Sequence, residues 1–220
     1  MNKNNICVFD FETSDINTDT LQILQIGSLI LDPISLDIID TFNVLVKYED
    51  WNTVSEKALA VNKLTKEKLD TEGIDIKIAW KDFCSFINKY NRDGSIYNRP
   101  IMAGQNIMTF DLPILNRYCQ RFGPFDKQQN RNSLFYPFAF IDTITLFFSW
   151  FEHEARPGKL GLTTIAKHMG FSKEALASAH DALTDCKLVA KILKRFLMFQ
   201  RNIMKKYKNK IKGCFANEIL

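Results

Sequence analysis

Apolar and polar positions change period partway along the chain. Ile6–Glu12 (ICVFDFE) is a short apolar run carrying Asp10 and Glu12 at its end. Ile23–Leu31 (ILQIGSLIL) and Ile38–Val46 (IIDTFNVLV) follow, with the turn residues Asp32-Pro33 between them. Runs of this length bounded by turn residues predict an antiparallel meander of three strands. The spacing then becomes helical. Ser55 and Glu56 make a helix start for SEKALAVNKL, and Ile76–Tyr90 repeats apolar residues at Ile78, Trp80, Phe83, Phe86, Ile87 and Tyr90. Pro100–Ala103 (PIMA) reads as a buried strand. Phe110 opens a helix through Leu115, Tyr118 and Phe122. Gly123–Pro137 is a polar loop, and Phe138–Ile141 (FAFI) is a further strand closed by Asp142-Thr143. The last helix is the longest, with Leu188, Ile192, Phe196, Phe199 and Ile203 on one stripe. Three strands, a helical crossover, then strands alternating with helices predict an α/β fold on a mixed sheet.

The chain has 220 residues, enough for one domain with a sizeable core and too few for a multidomain machine. Hydrophobic residues are 46% and charged residues 25%, which excludes disorder for the bulk of the chain. No run of about 18 apolar residues is present, so no membrane span is expected. The N-terminal stretch carries Asp10 and Glu12 and does not read as a signal peptide. Five cysteines without a CxxC pair suggest reduced thiols and a cytoplasmic protein.

Charge is unevenly distributed. Lys187 to Lys212 holds ten basic residues and no acidic one, leaving 19 basic against 24 acidic residues before it, a net of −5. The basic segment reads either as a phosphate-binding surface or as a solvated helix face, since Lys191, Lys194, Arg195 and Arg201 lie largely off the apolar stripe.

Three small groups of residues carry candidate chemistry. Asp10 and Glu12 are two apart on a strand, so their side chains share a side, where like charges repel. Either the strand has just ended and both are solvated, or a divalent cation turns that repulsion into ligation. Asp111 precedes Leu112-Pro113 and suits a helix N-cap, at an edge where a carboxylate also reaches the rim of a sheet. His180 and Asp185 flank the start of the last helix, with Ser178 and Asp181 as helix starters. Each pair also fits a plain surface role.

Their order resembles a known family, the DEDDh (DnaQ-like) 3′→5′ exonucleases. The first motif, D-x-E-T, is matched by Asp10-Phe11-Glu12-Thr13, and Ile23–Ser28 (ILQIGS) is similar to the family's second strand. The second, H-N-x-x-F-D, is matched by Gln105-Asn106-Ile107-Met108-Thr109-Phe110-Asp111, with Gln105 for His and one extra residue, a spacing similar to exonuclease I-like members. The third, H-x-A-x-x-D, is matched in full by His180-Asp181-Ala182-Leu183-Thr184-Asp185. Phe140-Ile141-Asp142-Thr143 looks like the family's I-D-T.

The resemblance implies an RNase H-like fold with a five-stranded mixed sheet flanked by helices. It spans roughly residues 5–198, so 1–200 is expected as the exonuclease domain and 201–220 as a basic helical extension. It implies two divalent cations, Mg²⁺ or Mn²⁺. Asp10, Glu12 and Asp185 would hold one, with Asp10 bridging to a second supported by Asp111. His180 would be the general base, its ordinary pKa of about 6.5 suiting it to accept a proton. Thr13 and Asn106 are expected substrate contacts, whereas Phe110 is expected in the core. The implied reaction releases 5′-mononucleotides from 3′ ends of single-stranded nucleic acid, DNA first and RNA as the alternative, with a polymerase or replication protein as a further expected partner. A non-catalytic interaction module is the reading from another class. An HD-type phosphohydrolase is excluded because no Asp follows Asp185, HExxH fails at Pro157, and neither a P-loop nor GxGxxG is present.

Overall fold

The computed structural model describes residues 4–154, 158–172 and 181–217. In chain order the strands and helices are β1 (Ile6–Thr13), β2 (Ile23–Leu31), β3 (Ile38–Leu45), α1 (Glu56–Asn62), α2 (Lys66–Glu72), α3 (Ile76–Asn88), β4 (Ile101–Gly104), α4 (Asp111–Phe122), β5 (Phe125–Asp126), β6 (Arg131–Asn132), β7 (Phe140–Asp142), α5 (Thr143–Phe151), α6 (Leu162–His168) and α7 (Ala182–Asn217).

Five strands form one mixed sheet in the order β3-β2-β1-β4-β7. The pairs β3–β2 and β2–β1 are antiparallel, and β1–β4 and β4–β7 are parallel. The expected meander and mixed sheet are therefore present. β2 is buried at every position because helices cover both of its faces, which is why it reads as a continuous apolar run. β3 lies at the edge and is more exposed.

The alternation along β1 divides the core. Cys7, Phe9 and Phe11 face α3 and α4, in a cluster with Trp80, Phe83 and Tyr118. Ile6 and Val8 face α7, in a cluster with Cys186, Val189 and Leu193. Two buried polar groups lock the first face: Trp80 Nε1 donates to the Gly123 carbonyl at 2.7 Å, and the Tyr118 hydroxyl accepts from the Ile23 N–H at 3.1 Å. Cys7, Cys84, Cys119 and Cys186 carry free thiols, and burial pushes the Cys7 thiol up to about 12.

Three sequence expectations shift. The loop from Gly123 contains a two-stranded ribbon, β5–β6, too short and polar to show a period. The strand expected at Phe138–Ile141 begins at Phe140, leaving Phe138 in the approach to it. The stripe of α7 leaves the core after Phe196: Phe199 is 55% exposed and meets the Trp150 ring, with ring centres 5.3 Å apart.

α7 runs without interruption across residue 200 for 36 residues, about 54 Å at 1.5 Å per residue. Several of its basic side chains tie it down. Lys194 pairs with Asp37, the Arg201 guanidinium donates to the carbonyls of Ile34 at 2.7 Å and Pro33 at 2.9 Å, and Arg195 lies over the Phe171 ring. Lys187, Lys191, Lys205 and Lys206 remain exposed. No described helix is long and apolar enough to cross a membrane.

β1, β4 and β7 run parallel, so their C-terminal ends reach one rim of the sheet, where helices α4 and α5 begin. In such sheets that rim is where ligands bind.

Candidate active site

Asp10 and Glu12 lie inside β1, not beyond its end. Asp10 pairs with Gly27 and Glu12 with Gln25 on β2. Paired residues share a face, and this is the face that α7 covers.

Gly27 admits the helix. A Cβ built there would stand 2.3 Å from the Ala182 carbonyl carbon and 2.4 Å from the Leu183 nitrogen, so any side chain displaces the start of α7. Gln25 completes the seat. Its Nε2 donates to Asn43 Oδ1 at 3.0 Å and to Asp181 Oδ1 at 2.7 Å, and its Oε1 accepts from the Ala182 N–H at 3.4 Å. Asp181 caps α7 by accepting from the Thr184 N–H at 3.0 Å and its hydroxyl at 2.8 Å. One turn further on, Asp185 reaches the cluster. Ligand-competent oxygens of Asp10, Glu12 and Asp185 all lie within 4.8 Å of one another.

Asp111 approaches from α4. It is the first helical residue, and Phe110 occupies the cap position without a capping side chain. Asp111 Oδ1 instead accepts from the Phe11 N–H at 3.1 Å, reaching across to β1 between Asp10 and Glu12. The expectation of an ordinary N-cap is corrected here: the carboxylate serves the rim of the sheet. Asp142, the cap of α5, is buried nearby and adds its charge to the field at Asp111.

Burial and crowding act together on these groups. Burial, then the charges of Asp111, Glu12 and Asp185, holds the Asp10 carboxyl well above the usual carboxylate range. Burial and Asp185 push Glu12 up to about 7. Burial raises Asp111 to about 8 against the opposing pull of backbone hydrogen bonds. At Asp181 burial also pushes upward, but hydrogen bonds from Gln25 and Thr184 outweigh it and leave its carboxyl below the usual range. Hard oxygen donors within reach of one centre, with Asp10 and Glu12 pushed upward by burial and then by the charges of neighbouring carboxylates, fit a divalent cation, which supplies the missing positive charge.

The other expected site residues divide. His180 lies outside the described residues, as does Ser178. Thr13 is buried, and its hydroxyl donates to the Asp15 carbonyl at 2.8 Å, with its own carbonyl held by Asn62 Nδ2 at 2.9 Å. Asn106 is exposed with φ +56°, and its Oδ1 accepts from the Thr109 hydroxyl at 2.7 Å. The Gln105 amide is engaged elsewhere, accepting from the Thr143 hydroxyl and donating to the Leu160 carbonyl at 2.8 Å. Phe110 packs against the aromatic core, as expected. Gln25 and Gly27 gain roles that sequence reasoning did not assign them. The available signal was a Gln and a Gly inside an otherwise apolar strand, where each is disfavoured unless another segment comes close.

A model of the RNase_T exonuclease family matches residues 7–193. The chain is 24% identical to Protein NEN4 of Arabidopsis thaliana over 193 residues, 87% of this chain and 66% of that protein. Among solved structures it is similar to cell-death related nuclease 4 (CRN-4), with TM-score 0.68, 15% identity, 90% of this chain and 65% of the other. It is also similar to E. coli exonuclease I in complex with a dA16 oligonucleotide, with TM-score 0.67, 14% identity, 93% of this chain and 43% of the other. A 3′-exonuclease solved for its recognition of the histone mRNA stem-loop 3′ end matches with TM-score 0.64, 18% identity, 89% of this chain and 64% of the other. The chain thus spans just under two thirds of NEN4 and CRN-4 and less than half of exonuclease I.

Gly27→Ala is expected to destabilise the fold by about 1–3 kcal/mol in urea unfolding, because the added methyl meets backbone rather than a flexible side chain. Parental stability would mean that α7 does not sit this close. The raised carboxyls give a second expectation. Their protonated forms stabilise the metal-free protein fully below the ordinary carboxylate range, and that contribution is lost as pH rises through about 7 to 8. Mg²⁺ or Mn²⁺, which competes with those protons, should therefore raise Tm more at pH 8 than at pH 6. Equal gains in differential scanning fluorimetry would contradict the linkage.

Proposed function

Because the chain belongs to the RNase_T exonuclease family, we propose that it is a metal-dependent 3′→5′ exonuclease acting on single-stranded nucleic acid, DNA in the first instance. The observation that carries this reading is the convergence of Asp10, Glu12 and Asp185 within 4.8 Å, with Asp111 against the same strand. Exonuclease I bound to dA16 shares the fold and supports DNA as the first substrate to try.

Asp10, Glu12 and Asp185 would hold one divalent cation, and Asp10 with Asp111 a second. Such ions neutralise the phosphate and ease formation of the nucleophile at neutral pH. The chain's own work is to place these groups. β1 supplies two carboxylates on one face, and α7, seated on Gly27 and Gln25, supplies the third. Asp111 is kept at the rim by the Phe11 N–H. His180 takes the proton from the attacking water, its ordinary pKa of about 6.5 suiting it to that task. Water adds to phosphorus, the bond to the 3′ oxygen of the preceding nucleotide breaks, and a 5′-mononucleotide leaves.

Purified protein with Mg²⁺ or Mn²⁺ and 5′-labelled single-stranded DNA and RNA of one sequence tests this directly. A metal-dependent ladder shortening from the 3′ end is expected, abolished by EDTA and by Asp10→Ala. His180→Ala should lower the rate by about 10²–10⁴-fold while Tm stays unchanged. Activity surviving Asp10→Ala would sink the metal-site reading, and near-parental turnover of the His180 variant would remove it from the mechanism.

A further inference from the structure

The carboxylate rim repels a polyanion, so a strand needs a second hold elsewhere. A groove of about 250 Å³ lies beside α4, lined by Leu112 and Asn116 of that helix. Its lining includes Met108 and Leu112, the latter next to Asp111 in the chain, Phe140 on the outer strand of the sheet and Phe138 in the approach to that strand. Its lining contains no acidic side chain.

The Phe138 side is aromatic and open. Tyr97 lies nearly parallel to Phe138, with ring centres 6.1 Å apart and planes at 14°, and Tyr136 stands edge-on to Phe138 at 5.5 Å. Tyr97 is 61% and Phe138 60% exposed, far more than core aromatics. The Arg131 guanidinium stands 5.8 Å from the Phe138 ring centre. Arg99 is close by: burial, then the charge of Arg131, pushes its guanidinium below its ordinary value. Among the described residues the buried Arg99 Nε meets no acceptor. Two neighbouring guanidiniums beside open aromatic faces suit phosphates and bases together, as in single-strand binding grooves. A protein partner could also use rings and arginines together, and sedimentation distinguishes a second copy of this chain from a nucleic-acid strand.

Phe140 is in register with Met102, which pairs with Cys7, three residues before Asp10. Three residues along and two strands across put the Cα positions of Asp10 and Phe140 about 14 Å apart, with side chains on opposite faces of the sheet. Phe138, two residues before Phe140, lies farther still, so a strand cut at Asp10 meets it only well upstream of its 3′ end.

We propose that this groove, with the Tyr97 and Arg99 side chains that adjoin it through Phe138 and Arg131, holds the strand several nucleotides upstream of the cut 3′ end, Phe138 and Tyr97 serving as stacking faces for bases and Arg131 and Arg99 holding phosphates. The assignment rests on the exonuclease reading above for the direction of the strand. Binding tests it separately from cleavage.

Fluorescence anisotropy in EDTA measures affinity for 5′-labelled oligothymidylates of about twelve and about three nucleotides. The longer probe should bind the parent protein at least about tenfold more tightly than the shorter one. Phe138→Ala combined with Arg131→Ala should collapse that ratio, and Arg131→Ala alone should lower the salt slope by about one. Arg131→Lys should restore the slope but leave the affinity below that of the parent. Phe138 is exposed, so Phe138→Ala alone should keep the parental Tm and still weaken the longer probe. No preference for the longer probe, or an unchanged ratio in the variants, overturns the proposal. So does a dimer in sedimentation velocity that Phe138→Ala dissolves without changing oligonucleotide affinity. Length-dependent binding without metal-dependent cleavage would leave the groove standing and remove the exonuclease reading.

Discussion

The approach of the α7 backbone to Gly27 is the constraint on which the site depends. It brings a third carboxylate to two that already repel each other. At separations within 4.8 Å, each ionised pair costs at least roughly 3 kcal/mol at an effective dielectric constant of about 20. The hydrogen bonds of Gln25 and Asp181 and the apolar contact of Cys186, Val189 and Leu193 with the sheet hold the helix in place regardless. The fold keeps the carboxylates together, and protons or cations are the means of making that tolerable.

The two faces of the sheet have different tasks. Beneath β1, the rings of Phe9, Phe11, Trp80 and Phe83 meet at centroid distances of 5.4 to 6.4 Å and make a rigid floor. Asp111 is anchored to that floor through the Phe11 N–H, so α4 and β1 keep their spacing at the rim. Above β1, packing is by small and aliphatic residues, which is what allows a helix to lie close enough for Asp185 to reach Asp10. A bulky side chain at Ala182 or Gly27 would open the site without touching a carboxylate.

Charge is arranged by place rather than by total. The net value of +4 arises from the last helix, yet Lys194, Arg195 and Arg201 are committed to Asp37, Phe171 and the carbonyls of Ile34 and Pro33. The guanidiniums of Arg99 and Arg131 lie at the opposite end of the sheet order from β3, near β7 and its approach. An acidic rim flanked by a cationic aromatic edge separates the chemistry from the hold on the strand.

Much of this was legible in the residues. The meander of β1 to β3 follows from apolar runs bounded by turns, and β2 from a run that is apolar because both faces are covered. Asp10 and Glu12 stand out because acidic residues inside an apolar strand conflict with local preference, and such conflicts mark sites. Asp181 as the start of α7 is a matter of local hydrogen bonding. Other features were decided only by tertiary structure. Asp111 has every local mark of a helix cap, and its use at the rim depends on a strand a hundred residues earlier. Gln25 and Gly27 act on residues more than 150 positions away, through a contact that no window of sequence contains. The exposure of Phe138 and Phe199 depends on where a strand begins and where a core ends, and period alone does not report either. Local chemistry determined which side chains were available for the site; long-range packing decided which of them meet.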